Sequence, residues 1–224
     1  MTSPDAPAPS PADGCACRAS PSSVALRRWA WALTVITIGW NSLEAAVAIV
    51  GGLLAGSVAL VGFGLDSVIE VSSALVIAWR LSRQGEDEEA HRRPERRAVR
   101  LIALSFFAIA AYVAFDSVGT LLGAGDEPEH STVGLAITAL SVVVMPTLAW
   151  AKRRVATALG SLALKADAAE TQVCVYLSVV VFVGLAVNSL LGWWWMDPLA
   201  GLVVAVLAVR EGRYAWISGD LCAC

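Results

Sequence analysis

Long apolar runs separated by short polar stretches divide the chain into six segments, at about 29–53, 57–79, 99–122, 132–150, 160–190 and 194–209. Runs near this length predict membrane helices, because a hydrocarbon core of ~30 Å is crossed by ~20 residues of α-helix. The fifth run is longer than a crossing requires, so it either tilts or begins as a cytosolic extension. The pattern predicts an all-α, polytopic membrane protein with six transmembrane helices and no C-terminal soluble domain. Its parts are a tail at 1–24, a membrane domain at 25–216 and a short second tail at 217–224. The first tail is rich in Pro, Ala and Ser, which predicts disorder and not a cleavable signal.

Composition agrees, since 57% hydrophobic residues and a mean hydropathy of +0.67 lie outside the range of an ordinary soluble domain. The formal net charge of -3 points to no partner by itself, and nothing resembles a nucleic-acid surface. The distribution of the charges is more informative. Arg27 and Arg28 precede the first run, seven arginines lie between the second and third, Lys152, Arg153 and Arg154 lie between the fourth and fifth, and Arg210 and Arg213 follow the sixth. The opposite connections carry no Lys or Arg, which places both termini in the cytosol. Arg100 stands at the edge of the third run, and Lys165 alone lies deeper inside one, close enough to the cytosolic end to snorkel.

Two runs contain an echo. Gly56-Ser57-Val58-Ala59-Leu60 followed by Asp66 and Glu70 reappears 104 residues on (160 minus 56) as Gly160-Ser161-Leu162-Ala163-Leu164 followed by Glu170 and Cys174. Each helix therefore presents two metal-competent side chains at i, i+4, on one face. Acids in a bilayer normally face a cavity, a partner or a bound ion, and two on one face repel unless protonated or bridged by a cation. With the topology above, the two helices run in opposite directions, and inverted repeats of this kind place a shared site near the midplane. The reading is a divalent metal site made by Asp66, Glu70, Glu170 and Cys174. The alternatives are chance recurrence of small residues for the echo, a helix-helix hydrogen bond or salt bridge for the acids, and a small apolar filler for Cys174.

The other polar groups each have two readings. Glu44 and Asp116 line a route or hydrogen-bond a neighbour; Asp167 guides an ion or pairs with Lys165. The segment 81–100, with Glu86 to Glu89 and His91, reads as a solvated loop that sets topology. His130 reads as part of a polar turn, and Trp193 to Trp195 as an interfacial belt. Cys15, Cys17, Cys222 and Cys224 form two Cys-Ala-Cys pairs near the ends, suited to accessory metal capture by reduced thiols or to acylation.

At the runs GSVALVGFGLDSVIE and GSLALKADAAETQVC, and at Asp197-Pro198-Leu199-Ala200-Gly201, the chain resembles the cation diffusion facilitator family of six-span divalent-metal exporters. The likeness covers about 26–216. The resemblance implies ligands at 66 and 70 on the second helix and at 170 and 174 on the fifth. It also implies a homodimer, which would here rest on membrane helices. The chain departs from the family pattern by Glu at 70, Glu at 170 and Cys at 174, where Asp, His or Asp, and Asp are usual.

Three carboxylates and a thiolate suit a tetrahedral zinc-like ion. Sulfur shifts preference away from magnesium and calcium and towards zinc, cadmium, cobalt or iron. Ligating carboxylates that lose a metal in an apolar site gain protons, and metal binding releases them. The expectation is a secondary transporter that exports divalent transition metals, zinc first, in exchange for protons, from a bacterial plasma membrane. It carries no cofactor, and no nucleophile triad or phosphate loop suggests an enzyme. A metal-binding membrane sensor or regulator without turnover is the alternative.

Overall fold

The structure, a computed structural model, describes residues 21–82, 88–124 and 128–221. Six helices account for nearly all of them: α1 (Pro21–Ala55), α2 (Val58–Ser82), α3 (Glu88–Leu121), α4 (Thr132–Leu159), α5 (Leu162–Leu191) and α6 (Met196–Leu221). Among the described residues there is no strand, so the expected all-α membrane architecture holds. Five helices are long and apolar enough to cross a membrane. The sixth falls short of that composition because Asp197, Arg210, Glu211 and Arg213 dilute its apolar stretch.

Several boundaries differ from the sequence expectation. Glu88 to Arg100, read as loop, forms the first turns of α3, and α1 and α6 take in parts of both expected tails. Helix α4 also runs on to Leu159 and carries Lys152 with it. Glu86 and Asp87 lie outside the described residues, as do Cys15, Cys17, Cys222 and Cys224.

The Gly-Ser echo has a local cause. Gly56 (φ 63) and Gly160 (φ 65) both take the left-handed conformation that lets one helix stop and the next turn back within two residues. The serine that follows then caps the next helix: Ser57 Oγ accepts from Leu60 N at 3.2 Å, and Ser161 Oγ from Leu164 N at 3.4 Å. At α2 the cap is reinforced from α6. Asp197 accepts a hydrogen bond from Ser57 Oγ and another from Ala59 N at 3.5 Å, so a carboxylate sits at the positive end of α2.

The helices associate as α1 with α2, α3 with α6 and α4 with α5, while α2 also touches α3, α5 and α6. Its first half, from Val58 through Phe63, is buried all round, as expected for a helix enclosed by others. Small residues allow the close approach. A Cβ on Gly64 would lie 2.9 Å from Ile49 N, and one on Gly52 would lie 2.8 Å from Val61 N, so backbone opposes backbone across the α1/α2 contact. Gly64→Val is therefore expected to destabilise the fold by about 1–3 kcal/mol, the usual cost of overpacking. Thermal unfolding in detergent checks this; an unchanged midpoint would mean that the two helices are free to separate.

Candidate metal centre

Helices α2 and α5 cross in opposite directions, and their polar residues meet in antiparallel order. Glu70 Oε1 accepts from Thr171 Oγ1 at 2.6 Å; further along α2, Ser73 Oγ donates to Glu170 Oε2; Asp66 and Cys174 stand one turn before Glu70 and one turn after Glu170 on their own helices, and both are buried. The order follows from the i, i+4 spacing, which puts Asp66, Glu70 and Ser73 on the face of α2 that meets α5. Asp66 stands ten residues after Gly56, and Glu170 ten after Gly160. Each is eight residues into its helix, which starts at Val58 or Leu162; at 1.5 Å per residue that is about 12 Å, near the middle of a ~30 Å core.

The seam is enclosed. Relative exposure is 8% for Asp66, 2% for Glu70 and 1% for Cys174, and Glu170 is half-buried. The four expected ligands are thus on one seam but at different levels. Glu70 is held by Thr171 and Glu170 by Ser73, while Asp66 lies nearer the start of α2 and Cys174 further along α5. Among the described residues no three of His, Cys, Asp and Glu are drawn together tightly enough to hold one ion. The reason is visible in the partners, because hydroxyl groups on the opposite helix hold one oxygen of Glu70 and one of Glu170. Their second oxygens, Glu70 Oε2 and Glu170 Oε1, are buried without a hydrogen-bond partner. Buried carboxylate oxygens left over in this way are costly unless something else meets them.

Sequence reasoning missed the cation at this site. Lys152 on α4, assigned to a cytosolic connection, is buried at 4% exposure. Its Nζ lies 3.0 Å from Asp167 Oδ2, 3.7 Å from Glu70 Oε1 and 2.8 Å from Thr171 Oγ1, to which it donates. Asp167 therefore pairs with Lys152, while Lys165 is exposed. Periodicity carried the signal, since Ser141, Met145, Leu148, Lys152 and Ala156 follow the helical spacing of one buried face straight past Trp150.

Glu44 resolves towards hydrogen bonding. It is fully buried and accepts from Ser67 at 3.0 Å and from Ser141 at 2.8 Å, tying α1 to α2 and α4. Asp116 is half-buried and His130 exposed. Trp193 and Trp195 are exposed and stacked, with ring centroids 5.4 Å apart, as suits a membrane interface.

A bundle of apolar helices with carboxylates, a thiol and an ammonium sealed between its innermost members defines an integral membrane protein with an intramembrane polar centre. The chain belongs to the cation efflux transmembrane domain family, whose model matches residues 34–215. It is 30% identical over 184 residues to an uncharacterized transporter of Synechocystis sp., covering 77% of this chain and 59% of that one. It is 27% identical over 195 residues to the cation-efflux pump FieF of Shewanella oneidensis, covering 85% and 61%. A cadmium, cobalt and zinc/H(+)-K(+) antiporter of Bacillus subtilis is 25% identical over 185 residues, covering 80% and 57%. The chain thus spans about 60% of the length of these relatives. Their names describe transport, none an enzyme.

Proposed function

We propose that the chain moves divalent transition-metal cations, zinc foremost, across the membrane in exchange for protons, with Asp66, Glu70, Glu170 and Cys174 as the ligands of the moving ion. The observation that carries this reading is the pair of buried, unpartnered carboxylate oxygens on Glu70 and Glu170, on the same seam as Asp66 and Cys174. A cation arriving between α2 and α5 would draw those oxygens inward and satisfy the two helices together. Glu70 and Glu170 each need only turn away from a hydroxyl partner, an exchange that costs little beside the charge-assisted bond gained.

The donor set favours zinc, cadmium, cobalt or iron over magnesium, because one ligand is sulfur. Family membership supports cation efflux, and the relatives' names support cadmium, cobalt and zinc as cargo. Release of metal leaves carboxylates in an apolar seam where protons replace the lost charge, which is the physical basis for exchange. The Lys and Arg asymmetry supports cytosolic termini, the heavy Ala, Arg and Val usage with short connections suits a bacterial plasma membrane, and the resemblance supports a homodimer joined through membrane helices. Cys15, Cys17, Cys222 and Cys224 would add accessory capture on the cytosolic side.

Vesicles containing the purified chain, loaded with a zinc-sensitive dye and given a pH gradient, test the proposal. Zinc uptake that disappears when the gradient is collapsed is the expected result. Zinc binding without flux would instead indicate a sensor, and a proton leak indifferent to zinc would indicate a relay that handles no metal.

A further inference from the structure

We propose that Lys152 is a tethered counter-ion that sets a charge threshold for the α2/α5 centre, so that the centre takes divalent cations and rejects monovalent ones. The inference rests on the reading of that centre as an ion site and adds to it a specificity-determining residue on a third helix.

The geometry is that of a cation already in attendance. The Lys152 ammonium has three donors; it reaches Asp167 at 3.0 Å and Thr171 Oγ1 at 2.8 Å, and lies 3.7 Å from Glu70 Oε1. Thr171 accepts from Lys152 and donates to Glu70 at 2.6 Å, so its hydroxyl links ammonium to carboxylate. Lys152, Asp167 and Glu70 are 4%, 4% and 2% exposed. Charges buried this deeply interact far more strongly than they would in water.

One positive charge is therefore built into the wall of the site. A sodium or potassium ion approaching Glu70 offers no more charge than the ammonium already there. It must also surrender its hydration and its freedom, which the tethered group does not. A divalent ion gains twice the attraction to each carboxylate and can recruit Asp66, Glu170 and Cys174 as well, so it wins where a monovalent ion loses. Asp167 holds the ammonium through both carboxylate oxygens, at 3.0 and 3.1 Å, and Thr171 at 2.8 Å, so it stays anchored on α5 when a cation takes Glu70.

A purely structural role would use the same ion pair to staple α4 to α5 with no effect on selectivity. The two roles separate in zinc titrations of the purified full chain, run in sodium chloride and in choline chloride at equal ionic strength. Wild type is expected to bind zinc equally in both. The charge-balanced double variant Lys152→Met/Asp167→Asn leaves the net charge of the wall unchanged but is expected to bind zinc about tenfold more tightly in choline, because the ammonium 3.7 Å from Glu70 Oε1 no longer competes for that carboxylate. It should also lose affinity as sodium replaces choline. Lys152→Arg, which returns the charge, should recover the indifference to sodium. If the Met/Asn variant does not fold, Lys152→Gln/Asp167→Asn keeps polar groups of similar length and carries the same expectation. A double variant with wild-type affinity and no response to sodium overturns the threshold and leaves the ion site standing. Failure of the wild-type chain to bind zinc overturns both.

Discussion

Asp66→Ala is expected to abolish zinc flux while leaving the helical bundle folded. Asp66 is buried on α2, and Glu70 stands one turn further along the same helix. Removing one partner of a buried charged contact costs about 2–5 kcal/mol of binding, which at about 1.4 kcal/mol per power of ten is a loss of roughly 1.5 to 3.5 powers of ten in affinity. The fold should tolerate the change, since alanine is the best helix former and the deleted group packs no large apolar surface. Flux into dye-loaded vesicles, with circular dichroism and a melting curve on the same preparation, checks both halves. Asp66→Asn separates charge from shape: the amide fills the same space, yet should restore little of the flux. Flux within a few fold of wild type in either variant would remove Asp66 from the transport path.

The second large effect concerns selectivity. Cys174→Asp is expected to lower the preference for cadmium over zinc by about tenfold while zinc transport persists, because a hard oxygen replaces a soft sulfur in an otherwise carboxylate shell. Cys174 is 1% exposed and belongs to the apolar cluster with Leu177 and Val181, so a filler role makes a clear counter-prediction. If the thiol only fills space, Cys174→Ala costs stability and leaves the cadmium-to-zinc ratio untouched, whereas a ligand shifts that ratio in both variants. Competition between the two metals in the vesicle assay reads it directly.

Much of this was legible in the residues because the bilayer imposes few options. Runs near 20 residues had to be helices, and the glycine-serine pairs at 56 and 160 did mark where one helix turns into the next. The acids at 66 and 70 and the groups at 170 and 174 fell on one antiparallel seam, as opposite orientations required. Less legible was the level of each side chain along that seam. Spacing placed Glu170 on the right face, but only its contact with Ser73 shows that it turns away from Glu70.

Lys152 was missed for a physical reason. A Lys-Arg-Arg triplet after an apolar run reads as a solvated connection; Arg153 and Arg154 are exposed as that reading expects, but all three residues belong to α4. Lys152 differs only in register. One residue earlier in a helix that continues to Leu159, it projects from the buried face, where Asp167, Thr171 and Glu70 meet it. The acids Asp66, Glu70, Glu170 and Asp167 outnumber the single positive charge that Lys152 brings among them. That imbalance is what a bound divalent ion would remove.

X-ray absorption at the zinc edge tests the central claim most directly, using the chain with Cys15, Cys17, Cys222 and Cys224 replaced by Ser so that Cys174 is the one remaining thiol. The account predicts a four-coordinate shell with one sulfur at about 2.3 Å and light atoms at about 2.0–2.2 Å, the sulfur vanishing in Cys174→Ser and the zinc itself in Asp66→Ala. A shell without sulfur, or one that survives loss of Asp66 unchanged, would contradict it.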